Sequence, residues 1–163
     1  MKHIVLIGMM GCGKSTVGAL LAQRLGRELV DTDSFIEQME GRRISEIFAA
    51  EGEEYFRAQE TAVAAKLARE EGLVIACGGG LPMREKSIAP LKQRGTVIWL
   101  RRDPGESYDG MECSGRPLAQ QGREDFLNRF ALREPVYRRW ADLTVEEFSS
   151  PEATVNAILE GLQ

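Results

Sequence analysis

The chain has 163 residues, 43% of them hydrophobic and 28% charged, and a formal net charge of −4. That is the balance of one globular domain with a substantial core, and its acidity excludes nucleic acid as the main partner, because a phosphate backbone calls for a basic surface. Cys12, Cys77 and Cys113 show no metal-ligand spacing and point to a reduced, cytoplasmic setting, and no stretch approaches the ~20 apolar residues of a membrane span.

"HIVLIG" (3–8) is an apolar run ended by glycine, the pattern of a buried parallel strand. It is too short, and leads too directly into glycines, to be a secretory signal. Lys14 to Leu25 places Val17, Leu20, Leu21 and Leu25 on one helical face, with Gly26 as the stop. "RELVDTD" reads as a second strand running into polar residues. Short helices follow over Ser34–Glu40 and Ile44–Ala50, then a long one over Glu53–Glu71 closed by Gly72. "LVIACGGG" repeats the strand-then-glycine pattern. Met83–Gln93 reads as a helix broken near Pro90, "GTVIWL" as a fourth strand, and Asp103–Glu112 as a short helix opened by Pro104. "CSGRPLAQQGRED" has two glycines, a proline and few apolar residues, and reads as a long mobile lid. Asp125–Trp140 is helical with an interruption at Pro135, "DLTVE" is a fifth strand, and Ser150 caps a closing helix over Pro151–Leu162. Strands alternating with helices predict a parallel sheet covered on both faces, with ligands at the carboxyl ends of the strands.

Those strand ends carry the motifs. Gly8-x-x-x-x-Gly13-Lys14-Ser15 lies between a strand and a helix and matches the phosphate-binding loop in full. Gly8, Gly11 and Gly13 let the backbone bend and approach phosphate oxygens. Successive N–H groups from Gly11, Cys12 and Gly13 to Thr16, with the helix N-terminus, supply positive potential. Lys14 bridges the terminal phosphates, Ser15 offers its hydroxyl to Mg²⁺, and Thr16 adds a phosphate contact. The guanine-reading Asn-Lys-x-Asp string of switch GTPases is absent. The strands "LVIAC" and "TVIWL" carry no acid of the kind remodelling ATPases use. A small kinase remains.

The chain resembles shikimate kinase almost end to end. The resemblance rests on "GMMGCGKST" (8–16), "DTD" (31–33), "GEEYFRAQE" (52–60), "GGG" (78–80), "RPL" (116–118) and "REPVY" (133–137). It implies an α/β three-layer sandwich, a P-loop NTPase fold with a mobile lid and a five-stranded parallel sheet in the order 2-3-1-4-5. It implies one domain over 1–163, with a shikimate-binding region near 32–60 and a lid near 110–123. The implied reaction moves the γ-phosphate of ATP to the 3-hydroxyl of shikimate, in a cytoplasmic monomer using Mg²⁺, with no nucleic acid or membrane partner.

Shikimate is a small ring with a carboxylate and three hydroxyls, and the residue types suit it. Arg57 and Arg133 can grip the carboxylate with planar paired donors. Asp33 can accept hydroxyl protons and orient or deprotonate the attacking oxygen. Gly78, Gly79 and Gly80 allow close backbone approach, Phe48 and Phe56 offer an apolar wall, and Glu60 lies one turn from Arg57 and holds it. Asp31 joins Ser15 in the metal shell through water. Arg116 in the lid closes on the β- and γ-phosphates and excludes water. Plainer readings stand beside these: Asp31 and Asp33 as a helix cap and a solvated acid, Arg57 and Glu60 as a surface ion pair, the phenylalanines as core, the glycines as a tight turn.

Two departures from the family pattern matter. The arginines that usually sandwich adenine are missing from "DPGESYDGMECSG" and "EEFSSPE", which predicts weaker or less selective base recognition unless Arg101 or Arg102 substitutes. His3, the single histidine, lies at the start of the first strand and is given no role. Kinases for gluconate, another polyol or a nucleoside monophosphate, and a nucleotide-binding module without turnover, are the rival readings.

Overall fold

The computed structural model describes residues 1–110 and 122–163. The described elements run β1 (His3–Ile7), α1 (Lys14–Leu25), β2 (Leu29–Asp31), α2 (Thr32–Glu40), α3 (Ile44–Glu51), α4 (Glu53–Ala68) and β3 (Val74–Ala76). A 3₁₀ turn (Leu81–Met83) leads to α5 (Glu85–Arg94), β4 (Gly95–Leu100), α6 (Pro104–Asp109), α7 (Arg123–Trp140), β5 (Leu143–Val145) and α8 (Pro151–Gly161). The five strands form one sheet in the order β2-β3-β1-β4-β5, every pair parallel.

The unbroken apolar character of "HIVLI" follows from burial on both faces. Val5 and Ile7 point into one core with Ile75, Val97, Trp99, Phe56 of α4, Ile88 of α5 and Tyr137 of α7. Ile4 and Leu6 point into the other, with Leu21 of α1 and Val155 and Ile158 of α8. The two layers of helices fix the strands, and the strands bring their carboxyl ends to one edge.

Several expected boundaries move. β2 stops at Asp31, because its carboxylate accepts the amides of Asp33 (3.0 Å) and Ser34 (3.1 Å) and starts α2 at Thr32. Asp33 therefore sits in a helical first turn rather than on a strand. α4 ends at Ala68, three residues before Glu71. Neither internal proline breaks its helix: α5 runs through Pro90 and α7 through Pro135. Each proline forfeits one intrahelical hydrogen bond. It is flanked, however, by side chains locked into the core, Ile88 and Leu91 in α5 and Phe130, Arg133 and Tyr137 in α7. Ser150 does cap α8, accepting the amide of Ala153 at 3.0 Å.

Candidate active site

The phosphate loop leaves β1 at Gly8. A Cβ at Gly8 would lie 2.8 Å from the Leu100 carbonyl oxygen, and its φ of +147° is left to glycine. Gly13, at φ +99°, turns the chain into α1. Lys14 is buried and donates to the carbonyls of Gly8 (2.7 Å) and Met9 (2.8 Å), with the buried Cys12 Sγ at 3.7 Å. The ammonium is thus held inside the loop by two carbonyls and a thiol, with no carboxylate, ready to exchange them for phosphate oxygens. Gly11, Gly13, Lys14, Ser15 and Thr16 line a cavity of about 620 Å³ that also takes in Asp31, Asp33, Gly78 and Gly79. Of the acceptor residues, Asp33, Gly78 and Gly79 thus open on the same space as the phosphate loop, whereas Arg57, Glu60, Gly80 and Arg133 are not among its lining residues.

Ser15 Oγ donates to Asp31 Oδ2 at 2.5 Å, while Asp31 Oδ1 caps α2. Cap and metal candidate are the same residue, one oxygen for each task. Hydroxyl and carboxylate are hard oxygen donors facing the cavity. Among the described residues no group of three His, Cys, Asp or Glu side chains is placed to hold a metal. This pair suits a cation that keeps its waters and takes phosphate oxygens as further ligands, which is the habit of Mg²⁺.

On the acceptor side each glycine of 78–80 presses against a charged side chain. A Cβ at Gly78 would collide with Asp33 Oδ1 and lie 3.1 Å from Glu60 Oε2. One at Gly79 would lie 3.1 Å from an Arg133 nitrogen, and one at Gly80 would run into the Arg57 guanidinium. Any side chain here would displace the polar group beside it, so the triplet is more than a tight turn. Burial, then the negative charges of Glu60 and Asp31, push the Asp33 carboxyl up to about 7.

Arg57 and Glu60 are both buried and ion-paired at 2.7 Å. Glu53 takes Nε at 3.2 Å and Nη2 at 3.1 Å, and the guanidinium lies 5.4 Å over the Phe56 ring. These bonds use three of the five N–H donors and leave one hydrogen on each terminal nitrogen. Burial raises the Glu60 carboxyl despite Arg57, and its Oε2 has no partner among the described residues. Arg133 is only 6% exposed, yet no carboxylate among the described residues pairs with it. It donates toward Met9 Sδ at 4.0 Å and hydrogen-bonds the Tyr137 hydroxyl.

Phe48 and Phe56 meet with centroids 5.1 Å apart and ring planes tilted by 41°, and pack against the core; neither lines the cavity. Arg116, most of the lid at 110–123 and Cys113 lie outside the described residues. Arg101 and Arg102 line a separate cavity of about 440 Å³ with Phe130, Glu146 and Phe148. There Arg102 sits 5.9 Å over the Phe148 ring and Arg101 5.6 Å over Trp99. Two residues not singled out by sequence reasoning hold the glycine loop. Thr32 Oγ1 accepts from the Gly78 amide at 2.8 Å, and Tyr137 Oη donates to the Gly79 carbonyl at 2.6 Å. Both lie inside motifs, "DTD" and "REPVY", and that placement was the available signal.

The family model described as shikimate kinase matches residues 10–163. A shikimate kinase of Symbiobacterium thermophilum is 43% identical, over 99% of this chain and 96% of that protein. One of Persephonella marina is 39% identical over 98% of each. Among solved structures, shikimate kinase from Acinetobacter baumannii in complex with shikimate superposes with a TM-score of 0.95 at 36% identity, covering 99% of this chain and 93% of that one. A gluconokinase from Sinorhizobium meliloti reaches a TM-score of 0.60 at 16% identity over 99% of this chain and 91% of that one, a likeness of fold alone. With the family model spanning nearly the whole chain and the phosphate loop, Asp33, Arg57, Arg133 and the glycine triplet gathered at one sheet edge, the chain belongs to the shikimate kinase family.

Proposed function

We propose that this chain transfers the γ-phosphate of ATP to the 3-hydroxyl of shikimate, forming shikimate 3-phosphate for aromatic amino-acid synthesis. The observation that carries the choice of acceptor is Arg133, a buried guanidinium with no acidic partner among the described residues. An unpaired buried charge is costly, and an acceptor carboxylate would neutralise it. Arg57, with two N–H groups uncommitted, supplies the second grip.

In this reading Asp33 receives the acceptor hydroxyls. A carboxyl near 7 is matched to taking a proton from an alcohol at neutral pH. Lys14 leaves the Gly8 and Met9 carbonyls for the terminal phosphates, and the amides of Gly11, Cys12, Gly13 and Ser15 with the Thr16 side chain hold the rest. Ser15 and Asp31, the latter through water, would hold Mg²⁺, whose chemistry when bound is to screen charge on the phosphate oxygens. Positioning and electrostatics account for phosphoryl transfer of this kind. Arg116 is assigned to the β- and γ-phosphates on sequence grounds. Phe48 and Phe56 support Arg57 from the core side. Exposed large apolar residues such as Met39 on α2 and Leu132 on α7 lie on separate elements, which favours a monomer. No described helix is long and apolar enough to cross a membrane.

Coupled ADP release with shikimate, gluconate, a nucleoside monophosphate or no acceptor tests the reading. Release dependent on shikimate alone is expected. Release with another acceptor, or nucleotide binding without acceptor-dependent release, refutes it.

A further inference from the structure

Three consecutive glycines have more conformational freedom than any other triplet, yet Gly78–Gly80 lie against Asp33, Arg133 and Arg57 with little or no room for a side chain of their own. Backbone contacts of the loop, Leu81 N to Gly78 O (3.1 Å) and Met83 N to Gly80 O (3.1 Å), tie it only to the turn that follows. Among the described residues, the hydrogen bonds that attach it to the rest of the site come from two hydroxyls. Thr32 Oγ1, on α2, takes the Gly78 amide, and Tyr137 Oη, on α7, gives its proton to the Gly79 carbonyl. Both side chains are fully buried, and neither lines the cavity.

We propose that Thr32 and Tyr137 are a pair of positioning residues, which pin the glycine loop from two helices and so set the distance between the acceptor and the phosphate loop. The second half of that statement rests on where the loop lies. A Cβ at Gly79 would sit 3.4 Å from the Met10 amide nitrogen and 3.5 Å from the Gly8 carbonyl oxygen, so the two loops are in contact through their backbones. Tyr137 Oη is also 3.5 Å from Met9 Sδ, touching the phosphate loop from the other side. The Tyr137 ring is held independently, against Trp99 at 5.9 Å, so the hydroxyl can be removed without moving the ring. A shift of about 1 Å in such a site costs on the order of 100-fold in rate.

The proposal builds on shikimate phosphorylation as the reaction, and the test separates the two. Thr32→Val deletes the Gly78 bond, and Tyr137→Phe deletes the hydroxyl that bonds Gly79 and touches Met9 and Arg133, each keeping shape. Each is expected to lower kcat with shikimate by tenfold or more (~10-fold, a part of the full misplacement cost), with nucleotide Kd by calorimetry within about twofold of wild type. The double variant should lose little more than the worse single one, since either release frees the same loop. Thr32→Ser keeps the accepting oxygen and should restore kcat. Ile158→Ala, in the core on the far face of the sheet, supplies a comparable stability loss and should keep kcat near wild type. Tyr137→Phe turning over at the wild-type rate in an enzyme active on shikimate overturns the proposal, as does an equal kcat loss in Ile158→Ala. An inactive wild type would instead strike the reaction itself. Should Thr32→Val fail to fold, Tyr137→Phe with Thr32→Ser still decides.

Discussion

The two edges of the central sheet bury polar groups in opposite ways. At the amino edge His3 is buried and tied at one nitrogen: its Nδ1 accepts the Leu73 amide at 3.1 Å, its Nε2 has no partner among the described residues, and Gly95 leaves room for its backbone. At the carboxyl edge Lys14, Arg57, Glu60 and Arg133 are all buried within the reach of three loops. There one carboxyl is pushed up to about 7, and among the described residues one carboxylate oxygen of Glu60 has no hydrogen-bond partner and the Arg133 guanidinium makes no ion pair, although its charge acts on Glu60. The first edge is built for the folded state alone. The second is built for a state in which anions are bound, and the apo protein carries its electrostatic cost.

The contrast breaks most sharply at Lys14. Lys14→Met removes the ammonium from a ring of carbonyls and should reduce ADP release by more than ~10³-fold. Melting should move little, since the methionine keeps the stem buried. Arg133→Met tests the cost directly. If the carboxyl edge is destabilised by an unpaired charge, this variant should melt about 2–4 °C higher, the equivalent of ~1 kcal/mol in a chain this size, while kcat/KM for shikimate falls by ~10² or more. A drop in both would mean that the guanidinium is structural. Gly80→Ala drives a methyl into the Arg57 guanidinium. It should cost ~10-fold to 10²-fold in kcat/KM for shikimate and leave nucleotide affinity near wild type, measured by calorimetry.

Much of the carboxyl edge was legible in the chain, because glycines, lysine and acids at fixed offsets after an apolar strand have few other uses. The phosphate loop and the "DTD" acids needed no coordinates, and the strand order came with the family resemblance. What pattern could not deliver was partnership across the fold. That Asp31 divides its two oxygens between Ser15 and a helix cap depends on where β2 ends. That each glycine of 78–80 faces a different charge depends on α4 and α7 meeting at the loop. Pro90 and Pro135 misled for the same reason: local propensity argues for a break, and core contacts on either side of each proline override it. Thr32 and Tyr137 escaped notice because a hydroxyl's importance lies in its partner.

Nucleotide selectivity sharpens the comparison on a smaller scale. The missing adenine arginines leave the base to main-chain groups or to the cavity of Arg101, Arg102 and Phe148. Stacking on an aromatic ring or a guanidinium face discriminates weakly between purines. ATP and GTP should therefore bind within about tenfold of each other by calorimetry; strict adenine preference would require a base-reading contact that these residues do not offer.

The smallest effect belongs to the quiet edge. Burial lowers the His3 pKa, with Arg94 acting in the same direction and the backbone carbonyls of Ala68, Glu70 and Leu67 opposing. The folded protein therefore keeps the imidazole neutral at a pH where the unfolded chain, near its ordinary value of about 6.5, already takes up a proton. Where the unfolded state binds more protons, stability rises with pH. The His3 contribution is thus whole above about 6.5, is lost as pH falls through that value, and levels off below the folded pKa. His3→Asn keeps an acceptor for the Leu73 amide but cannot titrate. Between about pH 7.5 and 5.5 its melting temperature should fall less than that of the wild type. Shikimate turnover near pH 7.5 should stay within about twofold, since His3 lies across the sheet from the edge that reacts. Equal slopes would mean that the charged imidazole finds a partner in the fold, and the contrast between a tied edge and a strained one would lose its simplest case.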